Sequence, residues 1–173
     1  MKKLLHILLC LPIIGFGQMT YVPDDNFEAY LEANGMGNGI ANDDYVLTGA
    51  IDTLSVLDIY SVIPALLNIA DLTGIEAFTA LTYLNCAGNQ LTSLDVSQNT
   101  ALTELLCYYN QLTSLDVSGA TALTKLYCGY NQLTSLDVSN NIALSLLNCG
   151  GNQLINLDVS NNTALTNLRC AEN

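Results

Sequence analysis

The chain has no tryptophan, one histidine, three prolines and only four lysines and arginines among its 173 residues. Each scarcity excludes something. The single imidazole, His6, sits in an apolar N-terminal run, so the rest of the chain offers no Ser-His-Asp or Cys-His pair and no histidine metal site. The few cations stand against 16 aspartates and glutamates, a formal net charge of −12 that repels nucleic acid and anionic lipid. The longest N-terminal apolar run, Leu4 to Phe16, is 13 residues, short of the roughly 20 that a membrane-spanning helix needs. Six cysteines are present but no CxxC spacing, which argues against zinc and dithiol redox chemistry.

What is there begins with Met1-Lys2-Lys3, that apolar run, and Gly15-Phe16-Gly17 as a small-x-small site before Gln18. This reads as a secretory signal peptide over residues 1–17, cleaved near Gly17/Gln18, and places the mature chain outside the cell or at its surface. A lipoprotein signal using Cys10 is the weaker reading, because Leu9 precedes it and the apolar run continues past it. Removal of the leader leaves Lys125 and Arg169 as the only cations, so the mature surface is strongly acidic, a composition that favours solubility.

Cys86, Cys107, Cys128, Cys149 and Cys170 recur every 21 residues. Around them the chain repeats LTYLNCAGNQLTSLDVSQNTA with small changes, four full units and the partial unit LTNLRCAEN. Numbering each unit from its first leucine, apolar residues fall at positions 1, 4, 6, 11, 14 and 16, with asparagine at 9. A fixed period of this length marks a solenoid, because one such unit buries too little apolar surface to fold without neighbours. Leu81-x-x-Leu84-x-Cys86-x-x-Asn89 is echoed ten residues on by Leu91-x-x-Leu94-x-Val96-x-x-Asn99. Both halves alternate in the strand period. A main parallel sheet through the cysteines and a shorter opposing sheet through LDVS are therefore expected.

The LxxLxCxxNxL pattern resembles the leucine-rich repeat, with cysteine in place of its third leucine. The phrases LTSLDVS and VPDDNFEAYLEANG resemble secreted leucine-rich repeat proteins of Bacteroidetes-type bacteria. The fold class is thus a leucine-rich repeat β-solenoid with a small helical N-terminal cap. Its expected divisions are a signal peptide at 1–17, a cap at 18–50 and repeats at 51–173. The chain stops at position 9 of a unit, and the resemblance implies further repeats beyond Asn173.

In the cap, Asp24, Asp25 and Asn26 are helix-start residues, Phe27, Tyr30 and Leu31 share one face, and Gly35 is suited to the helix end. The Asn34 to Asp44 stretch has the oxygens of a calcium loop but not the EF-hand spacing, and reads as a glycine-rich turn. Leu54, Leu57 and Ile59 start a degenerate first coil at positions 1, 4 and 6, and Tyr60 to Asn68, with Pro64, is an insert that loops out or folds over it.

The repeat cysteines read as buried, free thiols. Asp95, Asp116, Asp137 and Asp158 form a ladder in which like charges raise pKa values or attract a cation, unless each carboxylate closes an Asx turn with the serine two residues on, the favoured reading. The position 9 asparagines complete backbone hydrogen bonds in the turn. No reacting constellation can be assembled from these residues, so an enzyme is not expected, nor a cofactor or metal.

Positions 10 to 16 barely change between units, whereas 3, 5, 7 and 8 are the variable ones. Those outward positions carry five of the nine tyrosines and both cations of the mature chain. Tyr83, Glu104, Tyr108, Tyr109, Lys125, Tyr127, Tyr130, Asn148 and Arg169 are the candidate ligand-binding residues. Exposed aromatics grouped on one face suit recognition of a protein or glycan. A structural spacer or adhesin stalk, or an accessory segment of a larger enzyme, is the alternative.

Overall fold

A computed structural model describes residues 17–61 and 67–173. The signal-peptide reading, with His6 and Cys10, and the Pro64 stretch of the insert lie outside the described residues. The strands are short: β1 (Met19–Tyr21) and β2 (Tyr45–Leu47) belong to the N-terminal segment, and β3 (Val56–Asp58) opens the solenoid. There follow β4 (Tyr83–Asn85), β5 (Ser93–Asp95), β6 (Glu104–Leu106), β7 (Ser114–Asp116), β8 (Lys125–Tyr127), β9 (Leu146–Asn148) and β10 (Asn167–Arg169).

The main sheet runs β10-β9-β8-β6-β4-β3, all parallel and in strict repeat register, so Leu84, Leu105, Leu126 and Leu147 stand in line. The opposing sheet is the pair β5-β7. Between them lies one continuous apolar core to which each coil contributes its position 1, 4, 6, 11 and 16 side chains. The central leucine of β9, Leu147, is wholly buried between β8 and β10, while that of β10, Leu168, at the edge of the described sheet, is 43% exposed.

The N-terminal segment closes the other end of this core. Helix α1 (Asp25–Ala33) starts where expected: Asp24 caps it, accepting from the backbone N–H of Asn26 at 3.0 Å and of Phe27 at 2.9 Å. Phe27 is buried and stacks on Phe78 of the first coil at 6.3 Å. An antiparallel β1-β2 ribbon, which no sequence pattern announced, pairs Met19 with Leu47 and precedes the four-residue helix α2 (Thr48–Ile51). The glycine-rich turn is organised by two carboxylates of α1. Glu32 accepts from Asn38 N–H at 2.6 Å, and buried Glu28 accepts from Asp43 and Asp44 N–H, each at 3.2 Å.

The first coil departs from its expected boundary. Ser61 N–H donates to Ala87 O at 3.0 Å, and Ile69 resumes the coil at position 11, its carbonyl accepting from Gln90 N–H at 2.9 Å as Leu91 O accepts from Gln111. Tyr60 and Ser61 are therefore positions 7 and 8 of the coil and not the start of the insert.

Candidate functional site

Each strand of the main sheet points position 4 inward and positions 3 and 5 outward, because alternate side chains lie on opposite faces. Tyr83, Glu104, Lys125 and Leu146 thus form one outward column, and Asn85, Leu106, Tyr127 and Asn148 the other. Lys125 and Glu104 meet across neighbouring strands, Nζ to Oε2 at 2.9 Å, and this hydrogen bond raises the Lys125 pKa. It is the one ion pair among the described residues. Asn148 turns its Oδ1 toward Gly150 N–H, at 3.4 Å. Arg169 stands exposed at the far strand, with no ion pair to Glu172.

Beyond each strand, position 8 takes a left-handed backbone in every full coil: Gly88, Tyr109, Tyr130 and Gly151 have φ of 73°, 54°, 54° and 69°. Tyr109 and Tyr130 stack nearly parallel, with centroids 4.6 Å apart and 14° between planes. Tyr108 meets Tyr109 edge-on at 5.6 Å. Gly151 is the seat for this stack, since a Cβ there would come within 2.7 Å of the Tyr130 ring. Tyr109 and Tyr130 are 57% and 50% exposed, but their stacked faces are turned on each other, leaving edges and hydroxyls open. Neither Tyr83 nor Tyr127 joins this ring series.

Sequence reasoning missed Tyr60, whose ring lies 6.3 Å from that of Tyr108. It also missed Asp58 and Tyr30; the Tyr30 hydroxyl reaches from α1 to donate to Asp58 O at 2.7 Å. The missing signal was legible for two of them. Numbering the degenerate coil two residues past Asp58 at position 5 puts Tyr60 at position 7, the place of Tyr108. Tyr30 needed the cap's docking angle, which no local pattern encodes.

The Asp ladder is structural. Asp95, Asp116, Asp137 and Asp158 each accept from the backbone N–H of the serine two residues on, at 2.8 to 2.9 Å. The pKa values of Asp116, Asp137 and Asp158 are lowered, by hydrogen bonds from that serine. The Asx turns are those expected, and their hydrogen bonds outweigh repulsion between carboxylates exposed to water. A shallow hollow of about 510 Å³ lies over this face, with Ser93, Asp95, Ser114 and Asp116 in its wall. Asp25, Glu28 and Asp44 also draw together, but the Glu28 oxygens are engaged by the loop's own N–H groups.

The cysteine ladder is free of disulfides, with Cys86, Cys107, Cys128 and Cys149 buried. Burial pushes the Cys86 thiol up to about 12 and that of Cys149 to about 11, so these thiols stay protonated and inert. Cys170 is exposed, which corrects the expectation of five buried thiols. Burial in this ladder requires a coil on either side.

No family model matches the chain. Internalin J of Listeria monocytogenes is 45% identical over 79 residues, which are 46% of this chain and 8% of that protein. The solved functional domain of the same protein, described as including a cysteine ladder, superposes with a TM-score of 0.76 at 44% identity, covering 89% of this chain and 33% of that one. A leucine-rich repeat protein of Leptospira interrogans has the same fold at a TM-score of 0.62 and 22% identity, covering 72% of this chain and 33% of that one. The chain therefore spans about a third of these solved relatives and a small part of the whole internalin.

Proposed function

We propose that this chain, an internalin-like leucine-rich repeat protein of 21-residue units, is an exported recognition module that binds a protein or glycan through the tyrosine-bearing face of its main sheet. The observation that carries the reading is the backbone of Tyr109 and Tyr130. Both hold φ near 54° where Gly88 and Gly151 make the same turn in neighbouring coils. A bulky side chain in that conformation costs on the order of 1 kcal/mol or more. The turn does not need it, since glycine serves. Side chains kept at such a cost on an exposed face are understandable as contacts for a partner, and tyrosine is favoured in binding hot spots.

The proposal includes the leader at 1–17, the cap at 18–50, the repeats at 51–173 and a secreted or surface location. Catalysis has no support: the face holds no nucleophile paired with a base. A spacer or adhesin stalk is the second reading, favoured by the near-identity of the opposite face from unit to unit.

The test is replacement of Tyr108, Tyr127 and Tyr130 together by serine, followed by screening on arrays of extracellular proteins and glycans. Unchanged thermal stability to within a few degrees and at least a tenfold loss of binding are expected. A folded triple variant that binds as the parent does would discard this face and leave the spacer.

A further inference from the structure

Asp58 ends β3 at an outward position and is exposed. Around it converge four tyrosines from four separate segments. Tyr60 donates its backbone N–H to Asp58 Oδ1 at 3.2 Å, and Tyr30 of α1 donates its hydroxyl to the Asp58 carbonyl oxygen at 2.7 Å. Tyr83 lies on the same outward face of β4, opposite Val56 and two residues before Asn85, the cross-strand partner of Asp58, and Tyr108 of the following coil tilts its ring at 49° against that of Tyr60. The carboxylate has no ion-pair partner among the described residues. The Glu104–Lys125 pair is neutral, and Arg169 is five strands away across the sheet, about 24 Å at the usual strand spacing.

We propose that Asp58 and the tyrosines Tyr30, Tyr60, Tyr83 and Tyr108 form a binding site for an arginine side chain of a polypeptide partner. Aromatic rings attract a cation through their electron-rich faces, and a carboxylate at the base of the group adds a full opposite charge. A guanidinium suits both, because it is planar, stacks on tyrosine and makes directed hydrogen bonds to a carboxylate. Calcium does not suit it, since it needs six to eight oxygens and one carboxylate is present. The phenols remain neutral: the pKa values of Tyr30, Tyr83 and Tyr108 are raised, by burial first and by the Asp58 charge among the further causes. The chain's charge of −12 draws basic segments toward the molecule before contact.

This site rests on the reading of the main sheet as a recognition surface and names the chemistry of its partner. It is tested on the full chain with an acetylated Gly-Arg-Gly peptide and its citrulline counterpart, which keeps the shape and removes the charge. Tyrosine ring resonances are followed by NMR. Saturable shifts at Tyr60, Tyr83 and Tyr108 are expected with the arginine peptide. Binding should weaken at least tenfold with citrulline or in Asp58→Asn, and stay unchanged in Asp116→Asn on the opposite sheet. Equal binding of the citrulline peptide, or equal loss in both aspartate variants, would overturn the site. An inert Asp58→Asn combined with lost ligand capture in the triple tyrosine variant would overturn this site alone and leave the recognition face standing.

Discussion

Asn131 shows how one side chain closes a turn that the backbone leaves open. Its Nδ2 donates to the carbonyl of Cys107 in the preceding coil at 3.0 Å and of Cys128 in its own at 3.1 Å, and its Oδ1 accepts from Leu112 N–H at 3.0 Å. Asn110 and Asn152 make the same three bonds one coil away. A second ladder, Asn99, Asn141 and Asn162, bonds carbonyls on the other side of the coil. Asn131→Ala strands the buried Leu112 N–H and should cost about 1–3 kcal/mol, whereas exposed Thr134→Ala should cost under about 0.5 kcal/mol. Urea denaturation of the two variants checks this; equal losses would show that the amide is not the fastener. The role of asparagine was legible from its recurrence. The stacking of Tyr109 on Tyr130 was not, because it depends on a left-handed residue turning each ring toward the next coil.

The coil is the element that the repeat encodes, and its backbone groups are completed only by a neighbour. Thr103 and Thr124 Oγ1 each donate to the carbonyl of the preceding position 2 residue at 2.9 Å, a side-chain ladder alongside the strand bonds. The cysteines follow the same logic as small core residues, four of them enclosed and the fifth open. Peptide-resolved alkylation of the native chain should therefore protect Cys86, Cys107, Cys128 and Cys149, and modify them after denaturation. Rapid labelling of Cys128 in the native state would contradict its burial. The sequence showed that the thiols are spaced for a ladder; only the stacked coils showed how completely the core encloses Cys86, Cys107 and Cys128.

For the whole molecule, the decisive contact is the cap on the first coil. Phe27 is fully buried and stacks on Phe78, and Asp24 Oδ2 reaches across to accept from Ala70 N–H at 2.8 Å and Asp71 N–H at 3.1 Å. Because solenoid coils contact only their neighbours, opening this end uncovers the core for the next coil in turn. Phe27→Ala should cost about 3–5 kcal/mol and broaden the thermal transition as the first coil frays ahead of the rest. Calorimetry decides it, and a sharp transition with unchanged midpoint would mean that the cap is not coupled to the coils. No helix among the described residues is long and apolar enough to cross a membrane.

The sequence by itself determined the repeat length, the in-register parallel strands, the inward and outward positions, and the fastening roles of asparagine and aspartate. It did so because each depends on spacing within a unit and on contacts that recur identically at every coil. The tertiary structure alone decided the features that occur once. The first coil's true course through Tyr60 and Ser61, the reach of Tyr30 from the cap to Asp58, and the gathering of four tyrosines around that carboxylate join segments up to 78 residues apart. A repeating pattern averages over such contacts. They arise where a cap meets the first coil, and there the geometry is set by packing, which no period in the chain records.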